Sequence, residues 1–158
     1  MIAVLSLALI LVASTADAAE LHGRVVSITD GDTIVVLDDR HRQHKVRLSG
    51  IDAPERHQPW GARSRQALGR LVHRKSVTVD WYKRDRWGRI VGSVWRGGKD
   101  VGLTMVRSGM AWWFRRYADE QSPADRASYA AAEDEARTAR RGLWQDPRPL
   151  PPWVWRRR

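Results

Sequence analysis

No cysteine occurs in the 158 residues, which removes disulfide staples, thiol nucleophiles and cysteine-rich zinc sites in one step. Phenylalanine appears once, and acidic residues are in deficit, with 18 Asp and Glu against 28 Lys and Arg for a net charge of +10. A field of that sign draws polyanions and speeds their encounter, so nucleic acid leads the partner classes and an anionic membrane surface follows. No apolar run reaches the roughly 20 residues that a membrane-spanning helix needs. The longest, Ile2 to Val12, gives way to small and polar residues with Ala16-Asp17-Ala18. That is the layout of a secretory leader with its cleavage site, and it fits less well with a buried N-terminal helix. Residues 1–18 are therefore read as a signal peptide, the product as secreted or periplasmic, and fold reasoning starts at residue 19.

What remains is one domain's worth of chain, long enough to bury a single core without staples. Residues 19–146 form that domain, and residues 147–158, "PRPLPPWVWRRR", are a tail rich in Pro, Arg and Trp. Nine tryptophans are present; some can stack on bases, while Trp60, Trp81, Trp95 and Trp144 are expected in the core. Leu21–Ile28, Thr33–Leu37 and Lys45–Leu48 read as strands. "SVTVDW" alternates Val77, Val79 and Trp81 on one face, and "RIVGSVW" follows as a fifth strand ending at a Gly97-Gly98 turn. Between strands three and four, Ala62–His73 places Ala67, Leu68, Leu71 and Val72 on one helical face. Asp100 can cap a short helix that stops at Gly109. Ser122, before Pro123 and three residues from Asp125, opens a last helix striped by Tyr129, Ala132 and Ala136 and closed by Gly142. Five short strands with one helix after the third are the arrangement of an OB barrel, an α+β fold that is mainly β.

Three segments carry candidate chemistry. "DGDT", Asp30 to Thr33, is first a hairpin turn, yet a turn does not need its second aspartate. If Asp32 points inward near Asp52, two strand-end carboxylates with backbone carbonyls and water suit Ca²⁺ better than zinc, whose usual Cys and His ligands are missing. In "RLSGIDAPE", Glu55 is a candidate general base and Arg47 a planar fork for phosphoryl oxygen. Arg89 of "DRWGR" offers a second guanidinium. Two arginines, a hard cation and a carboxylate are an inventory for phosphodiester hydrolysis. Each fragment alone reads more plainly as a turn, an exposed ion pair or a loop. His41 and His44 form an HxxH that lies off any helix, which gives no reason to read a metal site there. The tail is expected to pack over the barrel and leave Arg156 to Arg158 for polyanions.

Taken in this order, with "ARRGLW" from Ala139 to Trp144, the segments resemble the staphylococcal nuclease (thermonuclease) family over about residues 22–146. The resemblance implies a five-stranded OB barrel with three helices. It also implies a secreted, monomeric, Ca²⁺-dependent endonuclease that acts on DNA and RNA by water attack on phosphorus and leaves 3′-phosphate ends. On the matching positions Asp32 and Asp52 would be the metal carboxylates, with the carbonyl of Ala53 a further ligand and Asp30 behind them. Arg47 and Arg89 would be the catalytic arginines and Glu55 the catalytic glutamate. Arg86, Arg115 and Tyr117 would face the nucleotide. The founding members carry Thr and Tyr where this chain has Ala53 and Trp87, and a tyrosine where it has Arg115. The alternative from another class is a nucleic-acid-binding OB domain without catalysis, which would be expected to lack part of the set Asp32, Arg47, Asp52, Glu55 and Arg89. All five are present. No stable membrane association is expected, since no helix pattern shows a strongly basic amphipathic face.

Overall fold

Alternating Val and Ile put one face of each strand into a shared interior, and the computed structural model, which describes residues 19–158, closes that interior into a barrel. The expected leader, residues 1–18, lies outside the described residues. Strands β1 (Ala19–Asp30), β2 (Thr33–Leu37) and β3 (Gln43–Leu48) run antiparallel as neighbours. Strand β5 (Ser76–Arg84) pairs with the N-terminal half of β1, and β6 (Ile90–Arg96) pairs with β5. A parallel pairing of β3 with β6 closes the circle. Strand β1 is longer than the expected Leu21–Ile28 because one chain serves two neighbours. Register shifts between Val25 and Ser27, and between Ile28 and Asp30, bend it from one to the other. Val25, Ile34, Val36, Val46, Leu48, Val79, Ile90 and Val94 fill the barrel and are buried. Each such side chain contributes about 1.5–3 kcal/mol relative to exposure.

Three short strands lie outside the expected five: β4 (Ile51–Asp52), β7 (Lys99–Asp100) and β8 (Trp112–Trp113). Three helices cover the barrel as expected. Helix α1 (Gly61–Val72) buries Leu68 and Val72 beside β1. Helix α2 (Val101–Arg107) is capped by Asp100, whose carboxylate accepts from the Leu103 N–H. Helix α3 (Pro123–Thr138) is capped by Ser122, whose hydroxyl accepts from the Asp125 N–H at 3.1 Å.

A fourth helix, the single turn α4 (Pro152–Trp155), was not legible in the tail. Pro152 is buried, and Trp153 stacks on Phe114 with ring centres 5.6 Å apart and stands edge-on to Trp112. Trp112 in turn meets Trp144 at 4.4 Å. The tail thus packs on the domain, as expected, through a tryptophan cluster. Of the four tryptophans expected in the core, Trp144 is buried while Trp60, Trp81 and Trp95 are partly exposed. His44 bonds Asp38 at 2.9 Å, and His41 sits in a left-handed turn with φ 58°, so the HxxH pair serves the β2–β3 hairpin.

Strand register positions the candidate residues. Thr33 pairs with Arg47 across β2 and β3, which puts Asp32 beside Arg47. Arg47 pairs with Val91 across the closing seam, which brings the start of β6, and so Arg89, to the same end of the barrel. Asp52 pairs with Trp112 across β4 and β8. Gly31 of "DGDT" is not there for a left-handed turn. A Cβ at that position would overlap the Ser64 hydroxyl oxygen and stand 2.7 Å from the Ala53 Cβ, so only glycine lets the loop close down on α1.

Candidate active site

At the barrel end assembled by these registers lies an open cleft of about 680 Å³. Asp30, Asp32, Arg47, Asp52, Ala53, Glu55 and Arg89 all line it, together with Tyr117. Asp32 and Asp52 are 7% and 1% exposed. The Asp32 carboxylate is steered by its own neighbourhood: one oxygen accepts from the Thr33 hydroxyl at 2.9 Å, the other from the Ala53 N–H at 3.1 Å. The Ala53 backbone therefore ties "DGDT" to "RLSGIDAPE". Arg47 reaches both acids, 3.6 Å from Asp32 and 3.4 Å from Asp52, and donates to the carbonyls of Leu48 and Ile51.

Arg89 is held by the loop between β5 and β6. Its Nε donates to Asp85 at 2.6 Å, and the same carboxylate accepts the backbone N–H groups of Trp87 and Arg89. Partial burial pushes the Asp85 carboxyl up, but these bonds outweigh it and hold the group below the usual carboxylate range. The clamp on Arg89 therefore stays charged at any neutral pH.

Two of the acids are pushed the other way. Burial, and then the neighbouring Asp32 carboxylate, raise Asp30 to about 7. Burial also raises Asp52, opposed by the bonds from Arg156. A carboxyl raised on folding keeps a proton that the unfolded chain has released, so stability falls as pH rises through that window. Thermal melts in a chelator should thus show the melting temperature dropping between about pH 4 and about pH 7. Asp30→Asn should flatten that slope.

The donor set tests the fit for a metal. Asp32 and Asp52 offer hard oxygens, and neither cysteine nor histidine lines the cleft. That chemistry suits Ca²⁺ or Mg²⁺ and not zinc. Among the described residues no three His, Cys, Asp or Glu side chains gather into a closed metal cage. Two carboxylates fit an open site, in which carbonyls, water and substrate complete the shell.

Two of the residues expected at the nucleotide, Arg86 and Arg115, do not line the cleft directly, although Trp87, which Arg86 covers, does. Arg86 lies over the ring of Trp87, which is 66% exposed on the loop between β5 and β6. Arg115 pairs with Glu133 at 2.6 Å and covers Trp113. Its neighbour Arg116 lines the cleft beside Tyr117 instead. Spacing could not separate these adjacent arginines, because Arg115–Glu120 is a 3₁₀ segment kinked at Tyr117. Sequence reasoning also missed Phe114, whose ring lies 5.8 Å from the Arg47 guanidinium, and Arg156. Instead of being left for polyanions, Arg156 reaches into the cleft and pairs with Asp52 at 2.7 Å and Glu55 at 2.6 Å.

Sequence comparison agrees with this geometry. The profile of the family described as "Staphylococcal nuclease homologue" matches residues 45–146. An uncharacterized endonuclease of Escherichia coli is 45% identical over 142 residues, which is 89% of this chain and 88% of the relative. A micrococcal nuclease of Shigella flexneri is 43% identical over 159 residues, covering 95% and 88%. A probable staphylococcal-like nuclease of Oryza sativa subsp. japonica is 37% identical over 134 residues, 85% of this chain but 33% of that longer protein. With the barrel, the cleft and these matches in agreement, the chain belongs to the staphylococcal nuclease family of phosphodiester hydrolases.

Proposed function

We propose that this nuclease is a Ca²⁺-dependent endonuclease that hydrolyses DNA and RNA by water attack on phosphorus and leaves 3′-phosphate ends. The single observation that carries the reading is the convergence of Asp32, Asp52, Arg47, Arg89 and Glu55 on one open cleft. Asp32 and Asp52, with the carbonyl of Ala53, are the residues proposed to hold the cation, and a bound divalent ion would supply charge neutralisation at the reacting phosphate.

The chain's own groups do the rest. Arg89, fixed through its Nε by Asp85, has its terminal nitrogens left to fork a non-bridging phosphate oxygen. Arg47 takes the same role from β3. Neither can act as a base, because a guanidinium stays protonated. Glu55 is the proposed acceptor of the water proton as the new O–P bond forms and the bond to the 5′ oxygen breaks, releasing a 5′-hydroxyl after protonation. Arg116 and Tyr117 line the same cleft and are the groups proposed to take a phosphate and a base. Contacts of this kind address phosphate and ring faces, which DNA and RNA share. The leader read in residues 1–18 supports a secreted or periplasmic product. Among the described residues no helix is long and apolar enough to cross a membrane.

One assay tests the reading. Activity on single- and double-stranded DNA and on RNA should vanish in excess EGTA, return on adding Ca²⁺, and yield 3′-phosphate ends. Equal degradation in the presence and absence of chelator would overturn the metal assignment.

A further inference from the structure

The tail does more than cover the tryptophan cluster. Arg156 lies beyond residue 146, where the family match ends, yet it pairs with two acids of the cleft, Asp52 and Glu55. One terminal nitrogen donates to an Asp52 oxygen at 3.1 Å and to Glu55 at 2.6 Å; the other donates to the second Asp52 oxygen at 2.7 Å. Arg47 shares the first of those oxygens. Both oxygens of Asp52 are therefore spoken for by guanidinium groups.

The segment is built to deliver this side chain. Trp153 and Arg156 are three residues apart across α4, and thus share a face of the turn. Trp153 is held on Phe114 and Trp112, and Pro152 is buried. Gln58 links Glu55, one of the two partners of Arg156, to the tail: its amide nitrogen donates to the Leu150 carbonyl, while its amide oxygen accepts the Glu55 N–H at 3.0 Å. The loop that carries Glu55 and the tail that carries Arg156 are thus tied together behind the ion pairs.

We propose that Arg156 is an internal competitor of the divalent cation, docked on Asp52 and Glu55 in the free chain and displaced when the cation binds. The inference rests on the assignment of Asp32 and Asp52 as the cation's carboxylates. A dication and the guanidinium seek the same Asp52 oxygens and repel one another there, so occupancy by one weakens the hold of the other. While Arg156 is docked, one carboxylate oxygen of Glu55, the proposed acceptor of the water proton, also carries a cation. The tail therefore guards the metal carboxylate and the candidate base together. A chain that must first release its tail binds the cation more weakly, in proportion to the fraction of time the tail is away.

Calorimetric titration of Ca²⁺ into the metal-stripped full chain, without nucleic acid, reads this directly. Arg156→Ala should bind Ca²⁺ about tenfold more tightly than the wild type. Trp153→Ala, which loosens the anchor and keeps the charge, should tighten binding in the same direction. Arg157→Ala removes an equal charge one residue on and measures the through-space contribution, which should stay within about twofold at physiological salt. Thermal melts check that each variant is folded, and Arg156→Lys, which keeps the charge but loses the fork, serves if the alanine variant is not. Equal affinity in Arg156→Ala (or Arg156→Lys) and wild type, or the same gain in Arg157→Ala, overturns the proposal. If wild type binds Ca²⁺, Asp52→Asn does not, and Arg156→Ala matches wild type, the tail inference fails and the metal assignment stands. If no variant binds Ca²⁺, both fail.

Discussion

Arg89→Lys is expected to lower kcat by about 100- to 1,000-fold while leaving the melting temperature close to the wild-type value. The reason lies in how Arg89 is held. Asp85 takes its Nε, and that carboxylate is itself fixed by two backbone N–H groups, so the guanidinium is aimed before substrate arrives. Lysine keeps the charge but has no Nε to give Asp85 and no planar fork to give phosphate. Because such contacts strengthen as charge builds on the phosphoryl oxygens, the loss falls on kcat more than on KM. Asp85→Asn should show a smaller loss of the same kind, about tenfold, since Arg89 keeps its charge and loses only its aim. Steady-state kinetics on one defined oligonucleotide, with circular dichroism to check folding, decide both. An Arg89→Lys variant that keeps full kcat would remove Arg89 from the mechanism.

This dependence on aim marks the boundary of what could be read from sequence. The five barrel strands and the cap of α3 were legible because their signals are local: the Val- and Ile-rich run of β2, the alternation in β5, and the Ser122–Asp125 pair three residues apart. The site carboxylates and arginines were legible as a motif, and strand register then brought them together. What no local pattern carries is the parallel seam between β3 and β6, which puts Arg47 and Arg89 at one end of the barrel. The tail is the clearest case. "PPWVWRRR" announces an apolar and a basic element, but three successive arginines have the same chemistry, and only the docking of Trp153 on Phe114 selects Arg156 for the acids. Arg115 and Arg116 differ in the same way. Which of two neighbours faces the cleft is decided by a 3₁₀ kink and by a buried acid on a distant helix.

That acid is Glu133, and its replacement by alanine should cost about 3 kcal/mol of stability and lower activity without touching substrate. Glu133 is fully buried on α3. One carboxylate oxygen accepts the Trp113 N–H at 3.1 Å; the other takes Arg115 at 2.6 Å and Arg137 at 3.4 Å. Alanine leaves the Trp113 N–H without its partner, opens a void, and sets two guanidinium groups loose over Trp113 and Trp144. The half-exposed arginines regain water, so the cost falls near the lower end of that for a broken buried pair. For a chain of this length the melting temperature should drop by roughly 10 °C. The functional consequence follows from connectivity. Trp113 lies on β8, whose partner β4 carries Asp52, and Phe114 next to it supports both Arg47 and the tail. Loosening β8 therefore displaces Asp52 and Arg156 together. Calorimetric melting and Ca²⁺ titration of Glu133→Ala should show lower stability with altered cation affinity, whereas an unchanged melting temperature would mean that Glu133 does not hold β8 in place.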